Sequence, residues 1–157
     1  MQTESARMSS AAEARFRVQA PNSLPRAIAA IALDATGRAV IERLAGAGWQ
    51  HVTFFTALSP GALRDLSGDT RSLHEEVSAT DLVVFVAGPG GHAHAAPMIG
   101  ELCSERRIMT TALLVGATSS TEPEVSRTLA QLRPWSLMVV IANSDDYIAD
   151  MMTALRA

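Results

Sequence analysis

Apolar runs and helical spacings alternate along this chain. Arg26–Leu33 (RAIAAIAL) is short and apolar and precedes the polar turn Asp34-Ala35-Thr36-Gly37. From about Thr36 to Ala47, Val40, Ile41, Leu44 and Ala45 recur on one helical face, and Gly46 or Gly48 ends the pattern. His51–Ala57 (HVTFFTA) reads as a second strand. Ser59-Pro60 reads as the cap and first position of a short helix through Leu66. Ser67–Thr80 is polar and reads as a connector with at most one helical turn. Leu82–Val86 is a third strand, Ile108–Val115 a fourth and Leu137–Ala142 a fifth. Helices are expected from about His94 to Arg107, from Thr121 to a stop before Pro134, and from Asn143-Ser144-Asp145-Asp146 to the C-terminus.

The stretch around which these elements are organised is Asp81–Met98, DLVVFVAGPGGHAHAAPM. Its strand has no polar face, as in a parallel sheet covered on both sides. The strand breaks into Gly88-Pro89-Gly90-Gly91, whose backbone can approach a ligand closely, and a helical pattern follows. Strand, glycine loop and helix together aim a helix N-terminus at an anion. The alternation predicts a doubly wound, three-layer α/β sandwich of Rossmann-like kind. Its mainly parallel five-stranded sheet is expected in the order 3-2-1-4-5. Ligands on such sheets bind outside the carboxyl ends of the strands, which selects loops 34–38, 57–61, 87–94, 116–121 and 142–146.

Composition narrows the chemistry. The chain has 157 residues, 48% hydrophobic and 18% charged, enough for one well-packed domain, placed at 25–157 behind a flexible extension at 1–24. Net charge is -3 and no basic cluster occurs, which speaks against nucleic acid. No run reaches the ~20 apolar residues of a membrane span. The N-terminal stretch lacks a secretory apolar region, and the single cysteine, Cys103, suits a reducing cytoplasm. All 13 basic residues are arginine. The lack of lysine removes a Walker A phosphate site, a Schiff-base anchor and a lysine general base.

Asp81–Gly88, then Gly90-Gly91 and Ala95-Ala96-Pro97, lead through Ile99, Glu101 and Leu102 to Ile108 and Thr110. This stretch resembles the strand and glycine-rich signature loop of the FtsZ/tubulin family. Ala39-Val40 with Arg43-Leu44, then Gln50, Val52 and Phe54, resemble that family's first helix and second strand. Val139–Asn143 with Asp145 is similar to its base-contacting strand and loop. The resemblance covers about residues 26–147 and implies a nucleotide-binding domain taking GTP, GDP or another phosphate-bearing ligand. It also implies cofactor contacts from Asp34, Thr36, Gly37, Arg38, Gly88, Gly90, Gly91, His92, His94 and Asn143. The chain departs from the family in two loops. The first holds one glycine and an acid where the family has a run of glycines, and the signature loop is shorter and carries two histidines. The chain ends where the family's central helix begins. The expectation is therefore a degenerate nucleotide- or anion-binding module without GTP turnover, regulatory or protein-interacting.

Each feature also has a plainer reading. The glycine loop serves equally as a tight strand-to-helix turn. Asp34 can cap a helix and pair with Arg38, and Asn143 and Asp145 can serve as cap and first-turn charge. His92 and His94 form an H-x-H pair that binds zinc or copper only when further ligands converge from Glu101, His51 or His74. That pattern is the basis of a second reading, a small metal-dependent enzyme or metal-binding protein. A third is a ligand-free oligomerisation or interaction domain with a homo-oligomer or another protein as partner. Its contact surface would be a sheet edge or the last helix, with Met151-Met152 adaptable.

Overall fold

The computed structural model describes residues 26–58 and 61–155. The expected extension at 1–24 lies outside the described residues, as do Ser59 and Pro60. The elements are β1 (Ile28–Ala32), α1 (Ala35–Ala45), β2 (Val52–Ala57), β3 (Ala62–Asp65), β4 (Thr70–Ser72), α2 (Leu73–Ser78), β5 (Leu82–Ala87), α3 (Ala96–Glu105), β6 (Met109–Val115), α4 (Glu122–Leu132), β7 (Met138–Ala142) and α5 (Asp145–Ala154). No described helix is long and apolar enough to cross a membrane.

The strands form one seven-stranded mixed sheet in the order β4-β3-β2-β1-β5-β6-β7. β2, β1, β5, β6 and β7 are parallel. β3 and β4 extend the sheet antiparallel from β2. β1 and β5 lie at its centre and are buried along their whole length, as their unbroken apolar sequences require. Ile31, Phe55, Val83 and Phe85 face one core, closed by Val77 of α2, Ile99 and Cys103 of α3 and Leu132 of α4. Phe54, Val84 and Leu113 face the other, closed by Val40, Ile41 and Leu44 of α1 and Ile148 and Met152 of α5. The expected α/β class with helices on both faces is therefore present.

Several expectations are corrected, first the count of five strands, since the sheet has seven. The strand order 3-2-1-4-5 does not occur: the five parallel strands, numbered as they follow in the chain, run 2-1-3-4-5. The hairpin β3–β4 takes the position beyond β2, and the chain then returns past β1 to lay down β5. Within the stretch expected as a helix, Ser59 to Leu66, residues Ala62–Asp65 form the strand β3 instead. Gly61 has φ +84, a left-handed conformation that no helix passes through. Leu63 then points into the core while Arg64 stays outside. Asp65 makes the turn: its carboxylate accepts from the Ser67 and Asp69 backbone N–H groups and the Ser67 hydroxyl, and Gly68 supplies φ +94. The connector at 67–80 thus holds β4 and the two-turn α2.

Candidate functional site

The winding of the sheet reverses between β1 and β5. The chain leaves β1 for β2 on one side, then crosses back to β5 on the other. Loops following β1 and β5 diverge there, which is where an open α/β sheet forms its ligand crevice. Asp34 and Gly88 open those two loops.

Asp34 joins them. Its extended backbone places it as the N-cap of α1, where Oδ1 accepts from Gly37 N–H at 2.7 Å. Oδ2 accepts from Gly88 N–H at 2.8 Å. One carboxylate therefore holds a donor from each side of the crevice. The approach of the two loops is also sterically tight. A Cβ on Gly37 would lie 2.1 Å from the Val86 carbonyl oxygen, and one on Gly88 would lie 2.5 Å from Thr36 Cβ. Gly37 thus brings the start of α1 against the β5 backbone, and Gly88 leaves room for the Thr36 side chain.

The rest of the glycine loop is tied to α4. Gly90 N–H donates to the Glu124 carbonyl at 3.0 Å. The Thr128 hydroxyl, fully buried, donates to the Gly88 carbonyl at 2.9 Å and accepts from Gly91 N–H at 2.9 Å. Gln131 accepts from Ala93 N–H and donates to the Gly91 carbonyl, each at 2.8 Å. Gly90 and Gly91 have φ +114 and +78, so the loop needs its glycines for conformation. Thr128 and Gln131 were not anticipated from the sequence. The available signal was a threonine on the inward side of α4, between Val125 and Leu132.

An incoming phosphate would meet the carboxylate of Asp34. Like charges ~4 Å apart repel by about 4 kcal/mol at an effective dielectric of 20. A helix N-terminus favours an anion by only ~0.3–1 kcal/mol, so an anion held that close to Asp34 would be repelled on balance. Arg38 does not offset it, because its guanidinium pairs with Glu42 one turn along the exposed face of α1 at 3.1 Å. The expected Asp34–Arg38 pair is thereby replaced.

His92 and His94 stand exposed on the outer side of the loop, ring centroids 6.5 Å apart and edge-on. His94 Nδ1 lies 3.4 Å from Gln131 Nε2. The further ligands that a metal needs do not gather: among the described residues no group of three or more His, Cys, Asp or Glu is placed to hold an ion. His51 precedes β2, at the opposite end of the sheet, and His74 is engaged with Arg106. Cys103 is buried in the core, where burial pushes its thiol up to about 11.

Asn143 is exposed just before Ser144, the true cap of α5. It shares with Thr36 a cleft of about 400 Å³ above Val115 and Ala142. Arg43 and Asp145 cross this cleft in a two-pronged pair at 2.7 and 3.2 Å. The hydrogen bond from Arg43 holds the Asp145 carboxyl below its ordinary range. Of the ten expected contact residues, Asp34, Thr36, Gly37 and Gly88 meet at the crevice, and Gly90 and Gly91 are fastened to α4. His92 and His94 stand exposed on the loop's outer side, Asn143 lies across the cleft, and Arg38 turns away. No family model matches the chain, and no curated protein matches it closely enough to count as a relative.

Proposed function

We propose that this chain is a non-catalytic protein-interaction module whose strand-to-helix crevice serves the fold and not a ligand. Its resemblance to the FtsZ/tubulin nucleotide-binding domain is then one of framework, with the phosphate cradle closed by the chain's own groups. One observation carries the reading: the Asp34 carboxylate accepts from both Gly37 N–H and Gly88 N–H, the donors on the two sides of the crevice. The internal bonds of Gly90, Gly91 and Ala93 support it. This reading departs from the expectation of GTP or GDP binding, and that expectation makes the opposite forecast.

Thermal unfolding separates the two. A ligand present at a hundred times its Kd adds about 2.7 kcal/mol, which raises Tm by several degrees in a chain of this length. The expected result is an unchanged Tm with millimolar GTP, GDP, ATP, NAD or inorganic phosphate. A rise of several degrees with any one of them rejects the closed crevice.

A further inference from the structure

The two edges of the sheet are unlike. β4 is three residues long, polar and exposed throughout, with Arg71 paired to Asp65. Short, charged strands of this kind protect a sheet edge from other chains. Among the described residues β7 has no such protection. Among the described residues it pairs only with β6; Ile141 on its α4 face is 46% exposed, Met138 on the opposite face 44%, and Leu137, just before the strand, 77%. Beside it, on the face covered by α4, a groove of about 330 Å³ is lined by Leu129, Leu137, Val139 and Ile141 together with Arg133 and Ser136.

α4 divides into two flanks. Thr128 and Gln131 face the glycine loop. Leu129 and the C-cap residue Arg133 line the groove, and Val125 and Glu122, four and seven residues before Leu129, fall on the same side of the helix by spacing. This flank is apolar in the middle, acidic at one end and basic at the other. Glu122 and Arg133 are exposed, and neither is in an ion pair among the described residues. α4 runs antiparallel to β7, so the acid lies towards the carboxyl ends of the strands and the base towards their starts. Such a flank is complementary to itself under a twofold rotation.

We propose that β7 is the meeting edge of two copies of this chain, their strands antiparallel in one continuous sheet. The twofold sets the two α4 helices side by side across the joined grooves. It brings Arg133 of one copy towards Glu122 of the other, with Leu129 and Ile141 between. The inference rests on the interaction reading above but is tested apart from it, because oligomeric state and nucleotide response are measured separately.

Sedimentation velocity on the full chain from micromolar to hundreds of micromolar is the test. The expected result is a dimer that Ile141→Lys converts to monomer, with circular dichroism unchanged because Ile141 is half exposed. Glu122→Arg and Arg133→Glu are each expected to weaken the dimer about tenfold, since each breaks two symmetric pairs, and the double variant to restore it. A monomer at all concentrations overturns the proposal, as does a dimer indifferent to Ile141→Lys or one that the double swap leaves as weak as the singles. Dimerisation only after removal of residues 1–25 also overturns it, because the edge would then be covered by the chain's own N-terminal segment.

Discussion

Asp34 caps α1 and also holds the Gly88 N–H across the crevice. A helix cap alone is worth about 1 kcal/mol, and an acceptor whose loss strands buried donors is worth about 1–3 kcal/mol. Asp34 does both, because Gly88 N–H is part-buried and bonds to its carboxylate. Asp34→Ala is therefore expected to lower unfolding stability by about 2–3 kcal/mol in urea titration. Asp34→Asn, which keeps one acceptor oxygen, should lose less. A change under ~0.5 kcal/mol for Asp34→Ala would reduce the residue to an ordinary surface group. The capping half of this role was legible in the sequence, because Asp34 immediately precedes the helical spacing of α1. The other half was not, because Gly88 is 54 positions away and no local pattern reports which backbone donor a carboxylate will find. Thr128 and Gln131 stayed hidden for the same reason.

At the level of elements, apolar runs located all five parallel strands to within a few residues. Such runs are strong signals because both faces of the inner strands are buried. The hairpin β3–β4 escaped because Ala62–Asp65 has only one residue, Leu63, committed to the core. Its register depends instead on the turn chemistry of Asp65, and that chemistry makes a prediction. The Ser67 hydroxyl foremost, with the Arg71 guanidinium and the Asp69 backbone N–H, holds the Asp65 carboxyl down to about 2, against an ordinary 3.8. A carboxyl depressed in the folded state contributes stability above its unfolded value. That contribution is lost as pH falls from about 4 towards 2. Carboxyl NMR titration should give Asp65 a midpoint near 2 in the folded chain, and Ser67→Ala should raise it. A midpoint near 4 would mean that the turn does not hold these bonds in solution.

For the whole molecule, alternation of strand and helix made the α/β class legible but not the order of strands. Order depends on which side of β1 each crossover lands, and the hairpin beyond β2 decided that without leaving a mark in the hydrophobic pattern. The same limit applies to function. A buried strand, a glycine loop and a following helix are shared by an open phosphate cradle and a closed one. The difference lies in whether the loop's N–H groups face outward or are already bonded. In this chain Gly88, Gly90, Gly91 and Ala93 donate to Asp34, Glu124, Thr128 and Gln131. Hydrogen exchange, followed residue by residue in NMR, reads directly whether those four amides are already bonded. All four are expected to be protected in the ligand-free protein, at rates that millimolar GDP or phosphate leaves unchanged. Rapid exchange in the free protein that slows when nucleotide is added would contradict the closed crevice.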